Sequence, residues 1–118
     1  MKQIFIVEDD DDIRELLEYL LMSREYKVQS FATAEGFKSY LPQEDPDLIL
    51  LDIMLPDGNG LDICRDLTLS SNKNHIPVFL MSAHENPSRN KEVGAVDFIS
   101  KPFDLNDLCS RISKQLES

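Results

Sequence analysis

Residues 48–60 read LILLDIMLPDGNG, and this stretch decides the fold. Its first four residues are apolar without alternation, which is typical of a strand buried on both faces of a parallel sheet. Asp52 follows directly, and the proline- and glycine-rich segment 56–60 then makes the chain turn. Ligands of open α/β folds bind at the carboxyl ends of such strands. Asp52 is therefore expected at the rim of a sheet, as a turn cap or as a functional carboxylate.

The remaining strands and helices follow from the spacing of apolar residues. Apolar runs predict further strands at 4–7 and 76–81, and residues 28–31 and 96–99 are two more strand candidates. Amphipathic spacing predicts helices at 13–21, 34–41, 61–67 and 105–116. Between Ser88 and Val93 only a helix of one or two turns fits. Parallel neighbours need crossover helices, so the alternation predicts a doubly wound α/β fold. The length suits one domain covering residues 1–118.

Composition and charge exclude several classes of protein. The formal net charge of −10 disfavours direct binding of nucleic acid, because affinity for phosphate backbones comes mainly from Lys and Arg. Cys64 and Cys109 fall in helical apolar patterns without metal-site spacing, which indicates free thiols in the core. The N-terminus lacks the features of a signal peptide, and no segment is long enough to span a membrane. We therefore expect a cytoplasmic location.

Polar residues follow four of the five predicted strands. Glu8 and Asp9 follow the first, Asp52 ends the third, Ser82 follows the fourth and Lys101 follows the fifth. In a parallel sheet they share one edge, where crowded carboxylates require a divalent cation or a raised pKa. Oxygen ligands favour Mg²⁺, with Mn²⁺ as a substitute. A cation, a hydroxyl and an ammonium together can neutralise a phosphoryl group, which indicates phosphoryl transfer with Asp52 as nucleophile.

This pattern resembles the receiver domain of two-component response regulators along the entire chain. The motifs that carry the resemblance are Glu8-Asp9, Asp52 followed by Pro56-Asp57-Gly58 and Gly60, Ser82-Ala83, and Lys101-Pro102-Phe103. The resemblance implies a flavodoxin-like (βα)5 fold with a five-stranded parallel sheet in the order 2-1-3-4-5. It also implies a cis peptide bond before Pro102.

The resemblance further implies a role for each site residue. These roles are phosphoacceptor and metal ligand for Asp52, direct metal ligand for Asp9, ligand through water for Glu8, ligand through its backbone carbonyl for Met54, switch hydroxyl for Ser82, phosphate-binding ammonium for Lys101 and aromatic switch for Phe98. The alternative for Phe98 is a plain core aromatic residue.

Two features depart from the family pattern or tune it. The interval from Ser82 to Lys101 is shorter than usual by about one turn of helix. We therefore expect the helix between Ser88 and Val93, which is the fourth of five along the chain, to be shortened. We also expect an altered output surface and a monomer or weak dimer. The resemblance implies that Met54 and His84 flank the path of attacking water, and an apolar Met54 then predicts slow dephosphorylation. His84 is either an aid to dephosphorylation or a surface loop residue.

The expected function is that of a signalling receiver rather than an enzyme in the ordinary sense. A sensor histidine kinase or a histidine phosphotransfer protein would phosphorylate Asp52, and the altered surface would then bind an effector protein whose identity the sequence does not give. Either a stand-alone receiver or part of a longer regulator fits. One alternative is a small haloacid-dehalogenase-like phosphatase, since Asp9-Asp10-Asp11 has the Asp-x-Asp spacing of that class. Another is a vestigial receiver that acts only as an interaction module.

Overall fold

The computed structural model describes residues 1–83 and 92–117. The strands are β1 (Gln3–Val7), β2 (Lys27–Phe31), β3 (Leu48–Asp52), β4 (Met54–Leu55), β5 (Gly58–Asn59), β6 (Val78–Ser82) and β7 (Asp97–Ser100). The helices are α1 (Asp11–Ser23), α2 (Ala34–Tyr40), a 3₁₀ helix (Leu41–Gln43), α3 (Gly60–Leu69) and α4 (Leu105–Glu117).

Five strands form one parallel sheet in the order β2-β1-β3-β6-β7. Counting only these long strands along the chain, this is the predicted order 2-1-3-4-5, so the predicted doubly wound fold is confirmed. Val7 lies beside Leu51 in the register of β1 and β3, and Asp52 lies beside Met81 in that of β3 and β6. The carboxyl ends of these three strands therefore meet at one edge.

Apolar side chains cover both faces of the sheet. One layer packs α2 and α3 against residues such as Phe5, Ile49 and Leu80, and the other packs α1 and α4 against residues such as Ile6 and Leu50. Alternate residues of a strand point to opposite faces, so a strand buried on both faces must be apolar at every position. This explains the uninterrupted run in residues 48–51.

The two cysteines lie one in each layer. Both Cys64 and Cys109 are buried free thiols, as predicted from their apolar surroundings. Burial raises the pKa of the Cys64 thiol to about 11, against a weaker lowering effect of a hydrogen bond with Thr68. The thiol is therefore protonated at neutral pH and packs as a small apolar group.

The structure differs from the sequence-based boundaries in three places. The fourth long strand begins at Val78 rather than at residue 76, and residues 54–59 form a two-stranded antiparallel hairpin where only a turn was predicted. The helix predicted at 34–41 ends at Tyr40, and a 3₁₀ turn that contains Pro42 continues from it to Gln43. The short helix expected between Ser88 and Val93 falls mostly outside the described residues, which end at Ala83 and resume at Glu92.

Across both described stretches of the chain, the structure has no helix with the length and apolarity needed to cross a bilayer.

Candidate functional site

Three carboxylates converge at the carboxyl edge of the sheet. Glu8 and Asp9 follow β1 and Asp52 ends β3, and one oxygen atom from each lies within 4.8 Å of the others. Glu8 and Asp52 are buried, whereas Asp9 is exposed to solvent. Because β1 and β3 are adjacent and in register, residues 8 and 52 emerge side by side, as the sequence predicted.

Lys101 joins two of these carboxylates. Its ammonium nitrogen lies 2.5 Å from Glu8 Oε1 and 3.0 Å from Asp52 Oδ2. The backbone amide of Lys101 donates to the Ser82 carbonyl oxygen at 2.9 Å, which ties the end of β7 to the end of β6. The peptide bond from Lys101 to Pro102 is cis, as the resemblance implied.

The electrostatics of the site follow from its burial. Burial raises the pKa of the Glu8 carboxyl from 4.5 to about 7, and contact with Asp52 adds to the rise, against the lowering effect of the Lys101 hydrogen bond. Burial would lower the pKa of Lys101, but hydrogen bonds to Glu8 and Asp52 outweigh it and raise the pKa. The site thus holds three carboxyl groups and one ammonium, which contacts two of them.

This excess of acid suits a divalent cation. The donor atoms are carboxylate oxygens, which are the hard ligands that Mg²⁺ and Mn²⁺ prefer. One carboxylate, that of Asp9, is open to solvent and could approach a hydrated ion. The residues present therefore fit such a metal.

The Asp52 carboxylate is held in a fixed orientation. Its Oδ1 accepts a hydrogen bond from the Met54 amide at 3.2 Å, while Oδ2 faces Lys101. The chain then doubles back, and the Gly60 amide donates to the Ile53 carbonyl at 2.8 Å. A Cβ atom at Gly60 would lie 2.8 Å from Ile53 Cα, so only glycine permits this close return past the end of β3.

Asp57 belongs to the quoted motif but has a structural role. Its two carboxylate oxygens accept from the amides of Ala34 and Glu35 at 2.8 and 2.9 Å, at the start of α2. These two backbone hydrogen bonds lower the pKa of Asp57. The contact fastens the β4–β5 hairpin to α2, a role that the sequence analysis missed because it depends on the meeting of two distant loops.

The two predicted switch residues lie on the neighbouring strands β6 and β7. Ser82 is buried at the end of β6, one position beyond Met81, which is paired with Asp52. Phe98 is half-buried on β7 and packs against the core layer that contains α2 and α3. Met54 is exposed on β4, whereas His84 lies outside the described residues.

The acids that follow Asp9 serve helix α1. Asp10 caps the helix by accepting from the Ile13 amide at 3.0 Å, and Asp11 and Asp12 lie in the first turn. Asp11 pairs with Arg14, which also reaches back to the Glu8 carbonyl oxygen. This second contact of Arg14 was not predicted, since a basic residue early in a helix gives no sign of where its side chain will bind.

Comparison with known proteins gives a consistent result. The family described as the response regulator receiver domain matches residues 4–113. The transcriptional regulatory protein GltR of Pseudomonas aeruginosa is 33% identical over 118 residues, which are 98% of this chain and 49% of GltR. The chain thus spans about half the length of this curated relative.

Solved structures agree with that match. The receiver domain of a signal transduction histidine kinase from Syntrophus aciditrophicus is 31% identical with a TM-score of 0.92, over 99% of this chain and 91% of that one. The response regulator DrrB of Thermotoga maritima is 30% identical with a TM-score of 0.89, over 99% of this chain and 53% of that one. CheY4 of Vibrio cholerae, at 22% identity and a TM-score of 0.91 over 98% and 99% of the two chains, shares the fold.

Sequence match, sheet order and the meeting of acids and lysine at one edge lead to the same conclusion: this chain belongs to the response regulator receiver domain family.

Proposed function

We propose that Asp52 accepts a phosphoryl group from the phosphohistidine of a sensor kinase or a histidine phosphotransfer protein. The observation that carries this proposal is the position of Lys101, whose ammonium bonds Asp52 and Glu8 together within a cluster of three carboxylates. A carboxylate so placed has a donor beside it for an incoming anionic group. The family membership supports the same reaction.

The reaction is a transfer between two nucleophiles. An oxygen of the Asp52 carboxylate attacks phosphorus, a P–O bond forms, and the P–N bond of the donor breaks with its electron pair left on the imidazole nitrogen. The product is an acyl phosphate on Asp52. Water later attacks its phosphorus and regenerates the carboxylate.

A bound Mg²⁺ or Mn²⁺ would be held by Asp9, Asp52 and the backbone carbonyl of Met54, and by Glu8 through a water molecule. The bound metal supplies positive charge that offsets repulsion between the acids and the phosphoryl oxygens. Lys101 would bind a second phosphoryl oxygen through its ammonium. Ser82 follows Met81, the residue of β6 that is paired with Asp52, and its hydroxyl would bind a third phosphoryl oxygen.

The acyl phosphate would shift the protein between two surfaces. Phosphorylation adds close to two negative charges, and these favour whichever state lets Ser82 and Lys101 bind them better. Phe98 on β7 would follow the movement of Ser82. Its ring has no donor, so its position would depend on packing against the core rather than on a polar contact.

A partner could dock next to the acids through α1. Leu16, Tyr19 and Met22 are exposed large apolar residues on this helix, which begins directly after Glu8 and Asp9. Exposed apolar residues grouped on one helix are typical of interaction surfaces. We assign this face to the phosphodonor protein.

The proposed function includes the other expectations from the sequence. They are a single receiver domain over residues 1–118, a cytoplasmic location, a monomer or weak dimer, an altered output surface, and no direct contact with nucleic acid or membrane. Exposure of Met54 beside the acceptor supports a long-lived acyl phosphate, because a thioether does not orient a water molecule as an amide would. For His84 the two alternatives remain an aid to dephosphorylation and a surface loop residue.

The haloacid-dehalogenase alternative is disfavoured by the position of its second acid. In phosphatases with Asp-x-Asp spacing that residue must face the substrate, whereas Asp11 lies in the first turn of α1 and pairs with Arg14 at 2.5 Å.

Acetyl phosphate and Mg²⁺ provide the test, with intact protein mass as the measurement. We expect the chain to gain one phosphoryl group, Asp52→Asn to gain none, and a chelator to prevent the gain. Asp57→Asn is the matched control, because Asp57 lies in the turn between β4 and β5, five residues after Asp52, and its carboxylate contacts α2. This variant should gain the group normally. A gain that survives in Asp52→Asn would overturn the proposal, as would an absence of any mass gain in the unmodified chain, with or without hydrolysis of the donor.

A further inference from the structure

We infer that Arg14 is a positioning residue for the metal site, because it fixes the peptide plane between the two acids that follow β1. This inference rests on the proposed function, since it concerns the affinity of the same acids for Mg²⁺. Arg14 itself is a cation and does not ligate the metal. Its effect passes through the backbone of Glu8 and Asp9.

The contacts of Arg14 are specific. Nη1 donates to the carbonyl oxygen of Glu8 at 2.9 Å, six residues back along the chain, and Nη2 donates to Asp11 Oδ1 at 2.5 Å. Only 17% of the Arg14 side chain is exposed, although its partner Asp11 is mostly exposed. An ion pair formed purely for the surface would leave the arginine exposed as well.

The Glu8 carbonyl belongs to the peptide group that links Glu8 to Asp9. The amide of Glu8 donates to the Phe31 carbonyl on β2 at 3.0 Å, so both backbone polar groups of Glu8 are bound. The Glu8 side chain is also held, since its Oε2 accepts from the Asp10 amide at 3.1 Å. With this peptide fixed, the directions in which residues 8 and 9 leave the backbone are fixed too.

Charge and position predict opposite effects for the loss of Arg14. If Arg14 acted only as a nearby positive charge, its removal would strengthen binding of Mg²⁺, because like charges repel. If Arg14 holds the Glu8–Asp9 peptide, its removal weakens binding, since residues that orient ligands commonly contribute tenfold or more to metal affinity. The sign of the change therefore separates the two roles.

Arg65 offers a matched control within the same chain. It pairs with Asp62 at 2.6 Å with the i, i+3 spacing of Arg14 and Asp11, but on α3, which packs on the opposite face of the sheet from α1. Replacement of either arginine by glutamine removes one charge and one helical ion pair. Only the change at Arg14 also frees the Glu8 carbonyl.

Titration calorimetry with MgCl₂ on the unphosphorylated chain tests the inference, with thermal melts run alongside. We expect the dissociation constant to rise about tenfold for Arg14→Gln and to stay within about twofold for Arg65→Gln, which perturbs only an exposed pair. Arg14→Lys keeps the charge but cannot span both partners, so its affinity should also fall; it tests the same point if the glutamine variant is unfolded.

An Asp11→Asn variant completes the design. It removes a negative charge, which should weaken Mg²⁺ binding slightly, but it leaves the bond from Arg14 to the Glu8 carbonyl intact, so its loss should be smaller than that of Arg14→Gln. Unchanged or tighter binding in Arg14→Gln, beside normal binding in the parent chain, would overturn the inference alone. No binding of Mg²⁺ by the parent chain would overturn the proposed function and this inference together.

Discussion

Two clusters of ionisable side chains lie at opposite ends of the sheet. In one cluster a base is shared by two acids, and in the other an acid is shared by two basic residues. At the carboxyl edge one cation, Lys101, bridges two acids, Glu8 and Asp52. We call these three residues the carboxyl-edge cluster. At the amino edge one acid, Asp45, is shared by Lys73 at 3.3 Å and His75 at 2.8 Å, and we call these three the amino-edge cluster.

Burial separates the two clusters. The side chains of Glu8 and Asp52 are 1% and 5% exposed, whereas those of Asp45 and His75 are 58% and 55% exposed. The pKa of Glu8 is raised by burial, while the pKa of Asp45 is lowered, chiefly by the hydrogen bond with His75. Similar contacts thus leave the buried cluster short of positive charge and the exposed one satisfied. Of the two, the buried cluster is the one at which an added cation would offset an excess of acid.

The largest difference should come from removing the lysine of each cluster. Lys101→Met leaves buried acids without their cation and should lower the free energy of unfolding by about 3 kcal/mol at pH 8 without metal. Lys73→Met breaks an exposed ion pair and a bond to the Glu44 carbonyl, which should cost about 1 kcal/mol. Urea denaturation measures both, and equal losses would contradict the distinction.

A smaller difference should appear in the dependence of stability on pH. The folded pKa of Glu8, about 7, lies above its ordinary value of 4.5, so the folded state holds the proton more tightly and the metal-free chain loses stability as pH rises between these values. Glutamine resembles the protonated acid. Glu8→Gln should therefore be more stable than the parent chain at pH 8, by up to a few kcal/mol, and nearly equal to it at pH 4.5.

Asp45→Asn should change the free energy of unfolding in the opposite direction to Glu8→Gln. A lowered pKa stabilises the fold above the ordinary value of 3.8 and ceases to do so as pH falls below it, so this variant should be slightly less stable than the parent at pH 7. Melting curves from pH 4.5 to 8 with no metal present check both variants. A Glu8→Gln variant less stable than its parent at pH 8 would show that the Lys101 contact outweighs burial.

The smallest effect is expected at His75. Its pair with Asp45 is exposed to solvent and screened by salt, so His75→Gln should change the free energy of unfolding by less than about 0.5 kcal/mol. Thermal melts at low and moderate salt are sufficient. A loss of unfolding free energy as large as that of Lys101→Met would mean that the amino-edge cluster contributes to stability as much as the carboxyl-edge cluster does.

The sequence predicted the carboxyl-edge cluster but not the amino-edge one. Glu8, Asp52 and Lys101 each lie at or just after the end of a predicted strand. The carboxyl ends of parallel strands meet at one edge of the sheet, independently of the loops between them. Asp45 and His75 lie in two loops before strands, where no periodic pattern fixes their separation. His75 accordingly carried no signal in the sequence.

The same limit applies around the candidate site. The contacts of Asp57 with α2 and of Arg14 with the Glu8 carbonyl join side chains to backbone groups across turns, and they depend on how each turn folds. The doubly wound class and the meeting of acids with lysine at one edge follow from the predicted strands and the rules for connecting them, and the strand order follows from the family resemblance. The positioning contacts that orient those groups do not.

Reduction of the acyl phosphate is the most direct test of the claim that the carboxyl-edge cluster makes Asp52 a phosphoacceptor. Borohydride converts a phosphorylated aspartate to homoserine, which peptide mass analysis can assign to a position. After treatment with acetyl phosphate and Mg²⁺, we predict homoserine at residue 52 and unmodified aspartate at residues 9 and 57. Homoserine at another aspartate, or a phosphoryl group that borohydride does not reduce, would contradict the assignment of Asp52.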